Sequence, residues 1–177
     1  MVQTLTKDTG TPITMNDLLK EALRFHPDVI VPAEMRGAEA MTAQEAGRTG
    51  HTILTTLHAN SAADAYNRIL SMCVEARTGL SEEKLLEFIL EAIPVIVYKR
   101  QLSDGRRIYD EIFEGTGLEK GHVVGRTIYK YTVKENVIAN GRTKVIGFHR
   151  KGDKVSGRLI DRLRVGGASE KELAWLI

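Results

Sequence analysis

Cysteine is almost missing from this 177-residue chain, and the single thiol, Cys73, excludes both an internal disulfide and a tetracysteine zinc site. Long apolar runs are missing too. The longest uncharged apolar stretch, residues 92–98, is much too short to cross a bilayer, and the amino end lacks the basic head and apolar core of a secretory signal. The chain contains no Gly-Lys pair. It therefore has no G-x-x-x-x-G-K-[ST] loop, whose backbone donors, lysine charge and hydroxyl supply most of the binding to a nucleotide's phosphates. His26, His122 and His149 follow no zinc-ligand spacing. What is present, 42% apolar residues in 177, predicts a soluble globular piece with one core or one core and an appendage.

Charge is unevenly spread. Residues 1–125 hold 13 Lys and Arg against 18 Asp and Glu, and residues 126–177 hold 12 against 5, so net values of −5 and +7 make up the chain's +2. A basic tail can meet nucleic acid, acidic lipid or an acidic protein face. Here Arg142, Lys144, Arg150, Lys151, Lys154, Arg158, Arg162 and Arg164 are scattered over several predicted elements. The alternation at residues 128–133 is that of an ordinary half-buried strand, which disfavours a base-stacking surface built on Tyr129, Tyr131 and Phe148.

The informative region is residues 24–60. Val29 to Val31 and residues 52–57 are short apolar runs without alternation, as in parallel strands covered on both faces. Between them residues 38–48 predict a helix, with Ala38, Met41 and Ala46 facing one side, Glu39 early, Arg48 late and Gly50 as a stop. In such a strand-helix-strand unit ligands sit beyond the carboxyl ends of the strands, where Glu34 and His58 fall. A glutamate at a strand end can also cap a helix, and a lone histidine is more often a hydrogen-bonded core residue. Together, however, an acceptor and a donor in one crevice suit the orientation of a water and the sensing of a phosphate.

The pattern PD-x(5)-E-x-R-G over residues 27–37, followed by T-G-H-x(4)-T-x-H-A-N over 49–60, resembles the Walker B segment and histidine box of the bacterial secretion ATPases. These are motors of type II and type IV secretion and of pilus assembly. The resemblance is specific over about residues 14–115, and the tail is similar to the tight-adherence pilus and conjugation branches. It implies an α/β fold: the carboxyl-terminal portion of a RecA-like P-loop NTPase core over residues 1–115, with a small mixed β/helical extension over 116–177. It further implies a function as part of a hexameric ATPase that uses ATP and Mg2+, cytoplasmic and docked on an inner-membrane platform protein, with nucleic acid disfavoured as a partner.

By position, Glu34 would polarise the attacking water and His58 would monitor the γ-phosphate. Asp28 would support the magnesium shell through water, and Arg24, Arg36, His51 and Arg68 would support the nucleotide or a subunit contact. Pro32 and Ala33 depart from the family, which has a branched apolar residue and glycine there. Residues 2–5 leave room for only a fragment of an earlier strand, so the chain reads as part of a longer motor that is inactive without its phosphate loop. Two other readings are a non-catalytic interaction module and a nucleic-acid binder using the tail. An upstream Gly-rich loop separates the first from the motor, and steep salt dependence would mark the second.

Elsewhere, Thr14 and Asp17 predict a capping box, with Pro27 marking the stop of that helix, and Ser81 caps a second helix with Leu85, Leu86, Ile89 and Leu90 as its packing face. Cys73 shares a helical stripe with Tyr66, Ile69 and Leu70. Strands at 95–102 and 107–113 flank Asp104-Gly105, which suits a type I′ turn. Gly115, Gly117 and Gly121 suggest a boundary. Strands at 123–133 and 143–149 with a turn at Asn140-Gly141 follow, then a helical hairpin, residues 157–164 and 169–177, with Leu159, Ile160, Leu163, Leu173, Trp175 and Leu176 apolar.

Overall fold

The structure, a computed structural model, describes residue 10 and residues 12–177. The strand fragment expected at residues 2–5 lies outside the described residues. The chain is mixed α/β and gathers into two compact units, one formed by the chain up to Asn60 with Asp64–Ile93, the other by Ser61–Ala63 with Pro94–Ile177.

The first unit begins with α1 (Met15–Arg24). Its amino end is closed by the expected capping box, in which Thr14 and Asp17 each satisfy the other's backbone N–H. Phe25 ends the helix and His26 turns left-handed, φ 47°, ahead of Pro27. Then come β1 (Val29–Ile30), α2 (Glu39–Arg48) and β2 (Thr52–Ile53), followed by α3 (Ala62–Glu75) and α4 (Glu82–Ala92). Strands β1 and β2 pair in parallel, as the strand-helix-strand pattern predicts. Helix α2 is buried on most sides through Ala40, Met41, Ala43, Gln44 and Ala46. A Cβ at Gly47 would stand 3.0 Å from the Ala92 Cβ, so the glycine permits the close approach of α2 to α4. Arg48 reaches Glu91 at 3.1 Å and lies 3.5 Å over the Phe88 ring, a cross-helix contact in addition to its favourable place at a helix end. Tyr66, Ile69 and Cys73 are fully buried on one stripe of α3, and Leu85, Leu86, Ile89 and Leu90 on one face of α4. Burial pushes the Cys73 thiol up to about 12, in keeping with an inert core residue.

The strands depart from expectation. Each holds two residues, and only Ile30 is buried, whereas Val29, Val31 and Leu54 are exposed. The ladder is interrupted at Pro32, which has no N–H to donate, and at Ala33, whose φ of 52° leaves the extended region.

The second unit is an antiparallel meander, β3 (Val95–Gln101), β4 (Arg107–Glu119), β5 (His122–Ala139) and β6 (Arg142–Lys151), followed by α5 (Gly157–Val165) and α6 (Glu170–Leu173). The glycines expected to mark a boundary lie inside this sheet. Gly115 and Gly117 flank a bulge in β4, and Lys120-Gly121, with φ 51° and 79°, form the tight turn into β5. The compact units divide instead at Ile93 and Pro94. Asn140-Gly141, with φ 51° and 71°, makes the expected turn between β5 and β6 in the left-handed geometry of type I′.

The turn at residues 102–106 is of another kind. Gly105 N–H donates to Leu102 O at 2.9 Å, Leu102 N–H donates to Arg106 O at 2.8 Å, and only Gly105 has positive φ, which is a type I turn closed by a glycine bulge rather than type I′. Asp104 is drawn away from a left-handed conformation because its carboxylate is held on all sides. It accepts from Arg106 Nε and Nη2 at 2.9 and 2.8 Å, from Arg106 N–H at 3.2 Å and from Val145 N–H at 2.9 Å. The sheet thus rolls far enough for the first turn to touch β6, and Leu102, Ile108, Tyr131 and Val145 pack in the concavity. Tyr131 is buried there edge-on to His149, which removes it from any exposed aromatic surface.

A second cluster, Ile128, Val155, Ile160 and Leu173, fixes the helical hairpin to the sheet. Buried Glu114 accepts from Ser156 N–H at 2.8 Å and from its hydroxyl, so a strand residue anchors the cap of α5. Helix α6 is shorter than the predicted 169–177. With the helical period ended at Leu173, Leu176 still packs inward and Trp175 is exposed. No helix among the described residues is long and apolar enough to cross a membrane.

The Arg106 guanidinium first, then the Val145 N–H, hold the Asp104 carboxyl at about 2, below its ordinary 3.8. A lowered native pKa gives stability that is fully present above the unfolded value and is lost as pH falls through the native one. Stability therefore falls between about pH 4 and pH 2, and Asp104→Asn removes part of that acid limb, as urea unfolding over this range would measure.

Candidate active site

The interruption after β1 is what presents Glu34. In β1 and β2 the partners Val29↔Thr52 and Ile30↔Ile53 lie 23 residues apart in the chain, but the next parallel bridge, Glu34↔Thr56, spans 22. One extra residue has entered the first strand at Pro32-Ala33, a bulge in the parallel pair. Thr56 repairs the ladder around it. Its N–H and hydroxyl both donate to Ala33 O, at 3.0 and 2.8 Å, and its carbonyl accepts from Met35 N–H at 2.9 Å. Glu34 thereby sits beyond the end of the short strand, with Met35 buried behind it.

Three side chains meet there. Glu34 Oε2 accepts from Arg36 Nη2 at 2.6 Å, a charge-assisted bond. Glu34 Oε1 lies 3.2 Å from His58 Nε2, within ion-pair reach but without hydrogen-bond geometry, and that oxygen is sealed from solvent and has no donor. The glutamate side chain is 29% exposed and the histidine 93%. The Arg36 bond is the main cause that holds the Glu34 carboxyl below the ordinary carboxylate range. Partial burial opposes it, and the charges of Arg36 and His58 assist it. Glu34 is thus an ionised acceptor at neutral pH, with one oxygen engaged by Arg36 and the other buried and without a donor.

Of the expected residues, the structure brings together Glu34, His58 and Arg36. Among the described residues the others make no ion pair or hydrogen bond with Glu34 or His58. Arg24 pairs with Glu21 at 3.4 Å on α1, Asp28 is exposed just ahead of β1, and Arg68 is exposed on α3. His51 enters β2 with its N–H on Ala46 O at 3.1 Å and with Nδ1 buried and unpaired. Two supporting residues escaped the sequence reading. Thr56 resembles any strand threonine, and only its pairing with Ala33 shows its part. Glu39, expected as a helix-start charge, accepts Arg36 N–H and Gly37 N–H at 2.7 and 3.0 Å. It does so because Ala38, which precedes the helix, has no side-chain cap to offer. A carboxylate in the first turn behind a capless residue was the available signal.

The chain is thus a mixed α/β protein that brings an ionised carboxylate and an imidazole together beyond a parallel strand pair. A family model described as type II/IV secretion system protein matches residues 2–148, and the chain belongs to that family. Conjugal transfer protein TrbB of Rhizobium radiobacter is 35% identical over 105 residues, covering 59% of this chain and 31% of TrbB. The type IV pilus assembly ATPase PilB of Thermus thermophilus is 34% identical over 125 residues, covering 67% of this chain and 13% of PilB. Among solved structures, the VirB11 ATPase from the Brucella suis type IV secretion system, in complex with sulphate, is 29% identical with a TM-score of 0.51, over 55% of this chain and 32% of that one. The chain therefore spans about a third or less of the length of these relatives.

At Ala33 the Cβ opposes a φ of 52° that glycine adopts freely. Ala33→Gly is expected to stabilise the protein by about 1 kcal/mol. A higher urea midpoint with an unchanged slope would establish it.

Proposed function

We propose that this chain carries the water-activating part of an ATPase that powers protein secretion, pilus assembly or conjugative transfer. The observation that carries the reading is the unpartnered Oε1 of an ionised Glu34, 3.2 Å from His58 Nε2, beyond the end of a parallel strand pair. In this role Glu34 accepts a hydrogen bond from the attacking water and increases its nucleophilicity. His58, exposed and facing the same oxygen, reports on the phosphate that arrives there. The described residues of the first unit form part of a RecA-like core, and the working form is a hexameric ring on an inner-membrane platform, in which a neighbour can supply arginine to the transition state. Membership of the family and the ATPase names of its relatives support this.

The chain's own residues fit the catalytic half of such a site better than the binding half. It has no phosphate loop, so the cradle for ATP comes from elsewhere in the complete protein, and this piece alone binds ATP weakly. Among the described residues no three metal-ligating side chains gather. A magnesium ion would thus be held mainly by nucleotide phosphates and water, with Asp28 contributing through water, in keeping with the sparse protein ligation usual for that ion. Bound magnesium would neutralise charge developing on the phosphates.

In the complete protein, Glu34→Gln retains ATP binding and loses most turnover, roughly 100-fold or more, because a neutral amide is a poor acceptor for the water's proton. Nucleotide binding measured beside steady-state hydrolysis tests this, and unchanged hydrolysis would sink the assignment. His58→Ala is expected to uncouple hydrolysis from assembly, so normal piliation or secretion in that variant would remove His58 from the site.

A further inference from the structure

We propose that Arg36 is a positioning residue that holds Oε2 of the Glu34 carboxylate, so that Oε1 is the oxygen left for the water that enters when the exposed His58 side chain moves aside. The proposal rests on the ATPase reading above. A glutamate carboxylate turns easily about its last bond and presents either oxygen, so a general base that must meet one water gains from being held. Here Arg36 Nη2 engages Oε2 at 2.6 Å, while Oε1 is sealed, without a donor, and bordered by His58. A sealed acceptor with no partner is costly to leave, and a displacement of the 93% exposed His58 side chain that admits a water to Oε1 relieves that cost.

The arginine is itself well placed for this work. Its backbone N–H and that of Gly37 are tied to Glu39 Oε1, and Met35 before it is tied to Thr56 O, so the base of the side chain is fixed on both flanks. The guanidinium is 71% exposed, and its ion pair is with Glu34. An ion pair that exposed contributes little to stability, so its retention for folding alone is a weak explanation. The same bond argues against phosphate support, one of the two roles that the family resemblance implies beside a subunit contact: a guanidinium committed to Glu34 is already neutralised. Two residues apart in extended chain, Glu34 and Arg36 share a side, and the bulge at Pro32-Ala33 sets which side that is.

The test uses the complete protein, with kcat and KM for ATP and the thermal midpoint measured for Arg36→Ala, Arg36→Lys, Glu34→Gln and the Arg36→Ala/Glu34→Gln double variant. The expected result for Arg36→Ala is a kcat lowered roughly 10- to 100-fold with KM for ATP and the midpoint unchanged. Arg36→Lys restores part of the rate, since an ammonium offers one donor without the rigid fork. In the double variant the arginine substitution adds no loss to that of Glu34→Gln, because there is no longer a carboxylate to hold. Should Arg36→Ala unfold, Arg36→Lys against Arg36→Met gives the same comparison with the stem kept. Wild-type kcat in Arg36→Ala beside an inactive Glu34→Gln would overturn the proposal and leave the ATPase reading standing. A raised KM at constant kcat, or losses that multiply in the double variant, would also overturn it, by assigning Arg36 to the nucleotide or to an independent task. Full turnover in Glu34→Gln would remove the underlying reading itself.

Discussion

The bond between Thr56 and Ala33 O is the constraint on which the candidate site depends. A parallel ladder interrupted by proline, with the next residue left-handed, would ordinarily let the chain end drift. Thr56 closes the gap with two donors to one carbonyl and returns its own carbonyl to Met35. Because side chains alternate along a strand, inserting a single residue reverses which side faces the crevice. The extra residue therefore decides that Glu34 points outward while Met35 packs into the core.

The second unit uses buried acids for a similar purpose. Asp104 ties the first hairpin turn to β6, and Glu114 ties β4 to the cap of α5. Asp110, also buried, meets Arg100 at 2.6 Å and Lys130 at 3.5 Å, and Lys130 in turn meets Glu111 at 2.8 Å. Removing one member of such a set leaves a charge without its partner, which costs more than the pair contributes. These acids act together with the two apolar clusters in the curl of the sheet and the seat of the helical hairpin. Lys130 of the basic tail is thereby an internal partner of Asp110 and Glu111, whereas Arg164 pairs at the surface with Glu170.

Helix content and the order of elements were legible because they follow from local chemistry: caps at Thr14 and Ser81, periodic apolar faces on α3 and α4, and the glycine turn at Asn140-Gly141. The meeting of Glu34 with His58 was legible too, since parallel strands bring their carboxyl ends to one edge. What was not legible depends on contacts distant in sequence. Asp104-Gly105 has the composition of a type I′ turn, yet Val145, 41 residues on, competes for its carboxylate and selects another. The glycines at 115–121 look like a linker in one dimension and act as a bulge and a turn once β5 lies alongside. Arg36 occupies an arginine position of the family motif, which implies support of the nucleotide or of a subunit contact, and only the structure shows its guanidinium engaged with Glu34.

Trp175 is the chain's one tryptophan, and it stands 74% exposed two residues from the end. Its emission is therefore that of an indole in water while the carboxyl-terminal hairpin is folded. Intrinsic fluorescence of this chain reports what settles on that hairpin.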